Sequence, residues 1–303
     1  MKSNRVPRAA YPLLRIEWLA IAWLFSISPW ALAQTDAPAP TQCETVYAVH
    51  DEGSKDSQFF RYQLKTNTLT PLGPLHKHKD IEGISVDPLT HILYATSGQP
   101  NSVLYTVDAD TGEISGVGEI GFDDVVGLAF HPEGSLWGWA KQGLVEIDSL
   151  QGTGTLMLPD NRAIYGLAWN QAGTELYAMA NDTPNASTLW GYTKNGWQVR
   201  CEGLPKKIEG LETRPDGLLV YGFDNDAQLG VHTFDVETCQ TLANATINTP
   251  YNDIEGIAWP RHACAPSNLE ALRAYFEGLG ATDIIIGKNG AIAIRLNDEM
   301  FYA

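Results

Sequence analysis

Carboxylates recur along this 303-residue chain at places that could converge on one centre. Glu82, Glu209 and Glu255 each stand inside an Ile-Glu-Gly triplet, and Asp80 and Asp253 lie two residues ahead of two of them. Asp124 holds the place of Asp80 in another stretch of the same kind. Asp51, Glu52, Asn181, Asp182, Asp224, Asn225 and Asp226 add further carboxylate and amide oxygens at a second recurring place. An all-oxygen donor set suits a hard cation such as calcium, which takes six to eight oxygens. Glu82, Glu209 and Glu255 are the expected metal ligands, and Asp51, Asp80, Asp182, Asp224 and Asp253 complete the expected binding set. An open coordination position would let such a site act on a substrate, whereas a closed one would be structural. The plainer alternative is that each glutamate hydrogen-bonds backbone amides of a neighbouring segment. His76 and His78, with His50, could instead offer imidazoles to a transition metal, or simply be polar filling of a solvated loop. No nucleophile elbow, phosphate loop, HExxH or CxxC pair occurs, so no catalytic residue is assigned.

The elements that must position these residues are repeats. Asp80-Ile81-Glu82-Gly83-Ile84-Ser85 returns four times, with pivot glycines Gly83, Gly127, Gly166, Gly210 and Gly256 separated by 44, 39, 44 and 46 residues. Tyr94, Trp137, Tyr177 and Tyr221 follow ten or eleven residues after the first four glycines. Short apolar runs between turn residues at this period are the signature of a four-stranded propeller blade. Thr45–Val49 has the aromatic strand without the glycine strand, and Ile254–Pro260 has the reverse. Together they make one blade and close the ring, leaving no free sheet edge at the seam. The expected fold is all-β: a five-bladed β-propeller closed by pairing of N- and C-terminal strands. Its blades span 43–79 with 253–262, then 80–123, 124–162, 163–206 and 207–252. Each glycine strand is the innermost, which brings the acidic positions to one face around the axis. Across the five blades the glutamate position reads Glu82, Val126, Tyr165, Glu209, Glu255, so the ring of carboxylates is interrupted. Asp108, Asp148 and Asp235 stand in third-strand turns, where their expected work is to accept turn amides.

The ends carry other signals. Lys2, Arg5, Arg8 and Arg15 precede an apolar run, Leu19 to Trp30, and an Ala31-Leu32-Ala33 site, which together read as a signal peptide over 1–33. Residues 34–42 read as a flexible linker, and 43–264 as the propeller. The expected destination is therefore secreted or periplasmic, with no integral membrane segment after cleavage. The formal charge of −16 argues against nucleic acid and anionic membranes as partners. Four cysteines in an oxidising compartment suggest two disulfides. Of the three possible pairings, the propeller favours Cys43–Cys264 and Cys201–Cys239.

Residues 265–303 depart from the repeat. Ser267 to Glu270 is a capping box, followed by a helical stripe of Leu269, Leu272, Phe276 and Leu279. Asp283–Gly287 and Ala291–Arg295 read as a hairpin. This small appendage offers an edge, within 283–296, to which a partner strand could add.

Glu82-Gly83-Ile84-Ser85-Val86-Asp87-Pro88, followed by Leu93-Tyr94-Ala95, resembles the inner strands of the SdiA-regulated and phytase-like esterase propellers. More distantly it is similar to gluconolactonase/regucalcin and NHL-repeat proteins. The resemblance covers about 43–262 and implies a propeller, with members ranging from calcium-dependent hydrolases to proteins of no assigned reaction. Two functions follow as expectations. One is a binding module for a small ligand, glycan or protein, with calcium at the acidic face. The other is a calcium-dependent hydrolase of a phosphoester, lactone or glycoside at the same face.

Overall fold

Each glycine strand does become the inner strand of a four-stranded antiparallel sheet. The computed structural model describes residues 45–52, 55–64, 66–183, 186–224, 229–247, 253–259, 281, 283–286, 292–296 and 299–302. From the inside outward, the first blade runs Gly256–Ala258, Thr45–Glu52, Asp56–Gln63 and Thr68–His76. The second to fifth blades begin on Ile81–Val86, Gly127–Phe130, Ile164–Trp169 and Ile208–Thr213, each followed in order by three more strands. The fold is thus the five-bladed propeller read from the repeats. The seam is closed as expected, with Tyr47, Ala48 and Val49 paired to Ala258, Ile257 and Gly256.

Crowding at the axis explains the pivot glycines. The site of a Cβ on Gly83 faces Leu128, Gly127 faces Leu167, Gly166 faces Leu211, Gly210 faces Ile257, and Gly256 faces Ile84. Each glycine therefore abuts the next blade's inner strand, and the series runs once around the ring. At Gly166 the constraint is tight, because a Cβ would lie 2.7 Å from the backbone oxygen of Glu209. No rotamer relieves a clash with backbone, so even alanine there would force two blades apart.

The aromatic landmarks seal the blade interfaces. Tyr94 of the second blade packs on Phe130 of the third at 5.3 Å, and Trp137 meets Trp169 of the fourth at 5.7 Å. Tyr177 joins a cluster with Leu211 and Leu219 of the fifth blade. Tyr221 differs: it packs within its own blade on Phe223, His232 and Phe234, and its neighbour Val220 serves the interface with the first blade. Outer strands such as Ile114–Glu119 and Gly154–Pro159 are largely exposed, which accounts for their weak apolar signal. The turn aspartates hold their local role. Asp108 accepts the amides of Asp110 and Thr111, Asp148 those of Leu150 and Gln151, and Asp235 that of Glu237.

Cys201, in the outer strand of the fourth blade, is bonded to Cys239, in the turn before the outer strand of the fifth. Cys43 and Cys264 lie outside the described residues, as do residues 1–33, the linker 34–42 and the helical stripe 269–279. Near the C-terminus the expected hairpin is part of a three-stranded sheet, Asp283–Ile286, Ile292–Leu296 and Glu299–Tyr302. The third strand went unread, because four residues after Asn297-Asp298 are too few to show a period.

Candidate functional site at the axial mouth

The starts of three inner strands, with the end of the first blade's second strand, bring six carboxylates to one end of the axis. They form two groups, Asp51 with Asp80 and Glu82, and Glu209 with Asp253 and Glu255. Within each group one ligand atom per residue lies within 4.8 Å of the others. Local conformation sets the direction of approach. Asp80 and Asp124, each three residues before a pivot glycine, take left-handed backbone at φ 54° and 51°. That region favours aspartate among non-glycine residues. His50 is buried and its Nδ1 lies 2.7 Å from the carbonyl oxygen of Asp253, which ties the closing segment to the first blade. The amide of Glu255 donates to the oxygen of Val49 at 3.0 Å.

The two groups meet through Glu82 and Glu255, each of which shifts the other's titration. Two buried carboxyl groups set against each other resist ionising together. Burial, more than any neighbour, pushes Glu82 up to about 7, with Asp80, Asp51 and Asp253 adding repulsion. Burial also raises Glu255 well above the ordinary carboxylate range, reinforced by Glu82, Glu209 and Asp253. Asp51 is pushed up to about 6 by desolvation and then by Asp80 and Asp253, while Lys55 works against the rise. Lys55 Nζ donates to Asp80 Oδ2 at 2.8 Å, so an internal cation already faces the first group. Asp51 Oδ1 is buried with no hydrogen-bond partner among the described residues. Burying a carboxylate oxygen in that state is costly, so a donor set of this kind fits a hard cation that would take up that oxygen.

These shifts carry a pH dependence whose sign is fixed. A carboxyl group raised on folding adds stability that is full below the ordinary carboxylate range and lost as pH rises through its folded value. For Asp51 and Glu82 that loss spans roughly pH 4 to 7, where Asp80, Glu209, Asp253, Lys55 and Tyr165 are the facing groups. In the presence of chelator, the protein should melt higher at pH 5 than at pH 8. Substituting Glu82→Gln with Glu255→Gln should flatten that difference, and calorimetry showing an unchanged or steeper slope would contradict it.

Other expected residues are placed differently. Asp124 stands apart from both acidic groups and lines a recess between the third and fourth blades. Asn181 Oδ1 accepts the Ser187 hydroxyl at 2.6 Å. The side chains of Glu52, Asp182 and Asp224, and residues Asn225 and Asp226, lie outside the described set. The imidazoles do not gather. His50 faces Asp253, His76 Nε2 faces the oxygen of Gly112 at 2.8 Å, and exposed His78 lies 3.6 Å from Asp56. The transition-metal expectation is therefore corrected: two of the three rings are spent on backbone carbonyls.

Three residues at this face were missed by sequence reasoning. Tyr165 breaks the glutamate series yet stays in its field, its phenol raised by burial and then by Glu209, Glu82 and Glu255. Lys55 gave no signal beyond its place in a turn. Arg162 stands four residues before a pivot glycine, where other blades carry Lys79 and Lys206, and that recurrence was the available clue.

No family model and no curated protein matches this chain. Among solved structures, a chain of a nidogen/laminin complex is 12% identical and covers 71% of this chain and 97% of its own, with a TM-score of 0.50. TolB from Acinetobacter baumannii is 12% identical and covers 75% of this chain and 68% of its own, at a TM-score of 0.51. The periplasmic gluconolactonase of Pseudomonas aeruginosa also matches, at 11% identity and a TM-score of 0.38, covering 82% and 75%. At such identities the likeness is one of fold.

Proposed function

We propose that this propeller is a ligand-binding module of the cell envelope or the exterior, whose axial mouth takes up one hard divalent cation, calcium by its donor set. The observation that carries the reading is the pair of carboxylate groups at one mouth, Asp51 with Asp80 and Glu82, and Glu209 with Asp253 and Glu255. All-oxygen donors exclude the softer metals that prefer thiolate or imidazole. Glu82, Glu209 and Glu255 would hold the cation from three blades, with Asp51, Asp80 and Asp253 beside them. A bound cation supplies a positive centre that hydroxyl or carboxylate oxygens of a ligand can approach. The chain's own residues keep that centre partly dry, set Glu82 and Glu255 against each other, and hold the Asp253 carbonyl through His50. The Cys201–Cys239 bond fits an oxidising compartment.

A second reading, hydrolysis at the same face, is favoured by the placement of Glu82 in a buried setting beside Asp80, Asp51 and Asp253. That setting pushes its carboxyl up to about 7, near the working pH of a general acid–base group. Turnover of model lactones and phosphoesters that disappears in Glu82→Gln would select it.

Titration calorimetry tests the main reading. Calcium should bind with a stoichiometry of one, and at pH 7 its binding should release protons, because the mouth holds raised carboxyl groups. Repeating the titration in buffers of different ionisation enthalpy reads that release. Binding without proton release would place the cation elsewhere, and no binding would remove the proposal.

A further inference from the structure

We propose that the recess between the third and fourth blades binds a small hydroxylated carboxylate, with Arg162 and Lys141 taking its anionic group. The recess has a volume of about 350 Å³ and is lined by Asp124, Trp139, Lys141, Asn161, Arg162 and Tyr165, among others. That is the size range of small-molecule sites. The inference rests on the reading that this face is the ligand face, since Tyr165 belongs both to the recess and to the field of the axial carboxylates.

Arg162 is held from several sides. Its guanidinium carbon lies 4.6 Å from the ring centre of Trp190 and 5.2 Å from that of Trp197. Its Nη1 donates to Asp160 Oδ2, its own amide donates to Asp160 Oδ1 at 2.9 Å, and its carbonyl accepts Trp139 Nε1 at 3.2 Å. Stacking and pairing of this kind fix a guanidinium before any ligand arrives, which removes much of the ordering cost of binding. Among the described residues Asp160 is the guanidinium's only hydrogen-bond acceptor, so most of its five donors are unspent. Lys141 follows the second strand of the third blade, is exposed, and has no ion-pair partner among the described residues. Two cations with unspent donors therefore share one recess in a chain of charge −16.

The remaining lining decides what else the ligand carries. Asp124 would repel a bare anion but accepts hydroxyl protons, and Asn161 and Tyr165 can both donate and accept. A phosphate ion alone leaves those groups without partners, and a neutral sugar leaves Arg162 and Lys141 without theirs. A carboxylate flanked by hydroxyls meets both needs.

The experiment uses the full-length protein and D-glucuronate as the probe, with D-glucose and inorganic phosphate as controls, titrated by calorimetry in calcium and again in chelator. Glucuronate should bind at least about tenfold more tightly than either control, since a charge-assisted bond contributes 1.5–3 kcal/mol. Lys141→Gln should weaken it about tenfold, and this exposed position leaves the fold intact. Arg162→Gln should weaken it at least as much, with melting measured alongside to detect any loss of the tryptophan stack. Equal affinity for glucose or phosphate would overturn the proposal, as would full affinity in Lys141→Gln or an absence of glucuronate binding in both media. Calcium binding without glucuronate binding would sink this inference alone. Glucuronate binding without calcium binding would sink only the cation reading.

Discussion

Calcium at a hundredfold excess over its Kd is expected to raise the melting temperature of this protein by about 5–10 °C. A ligand that binds only the folded state stabilises by about 2.7 kcal/mol at that excess, and a domain of this size gains about 2–4 °C per kcal/mol. The response has a defined origin. Glu82, Glu209 and Glu255 come from three blades, so they are gathered only when the ring is closed. Unfolding disperses them and releases the cation. The triple variant Glu82→Gln, Glu209→Gln, Glu255→Gln should melt in chelator no lower than the parent, because glutamine keeps the shape and removes the repulsion. It should gain little from calcium. Identical melting of the parent in calcium and in chelator would return these carboxylates to a structural role.

Removing the Cys201–Cys239 bond should cost about 3–4 kcal/mol, the chain-entropy value for a loop of this length. The bond spans 38 residues and joins the outer strand of the fourth blade to the last turn of the fifth. Its sulfurs sit at the outer strands of their blades whereas the carboxylates sit at the inner strands, so calcium affinity should be unchanged in Cys201→Ala with Cys239→Ala. Denaturant unfolding of that double variant checks the first statement and calorimetry the second. A loss of less than about 1 kcal/mol would mean that the unfolded chain keeps these two blades together.

Much of this architecture is legible in one sequence because the repeats are self-consistent. The pivot glycines mark the axis, and the split between Val46–Val49 and Ile254–Pro260 marks the seam. The axial chemistry is less legible, since it is assembled from residues that no local pattern links. Glu82 and Glu255 can be listed as candidates, but their influence on each other depends on the seam register, Val49 opposite Gly256. Lys55 reaches Asp80 across a turn that carries no motif. Tyr165 looks like a gap in the glutamate series, yet it lines the recess and stands in the field of the axial carboxylates. The Trp190, Trp197 and Arg162 stack draws on two outer strands and an entry loop of the fourth blade, and sequence spacing does not express such a contact. The histidines fail for the converse reason: alternation in a loop says nothing about which backbone oxygen each ring will meet.

The most direct test of the cation reading is a crystal structure of the protein grown or soaked in calcium, with anomalous data. The account predicts a single strong peak at the axial mouth, about 2.3–2.6 Å from carboxylate oxygens of Glu82, Glu209 and Glu255. Peaks confined to the turn aspartates Asp108, Asp148 and Asp235, with none at the axial mouth, would contradict it.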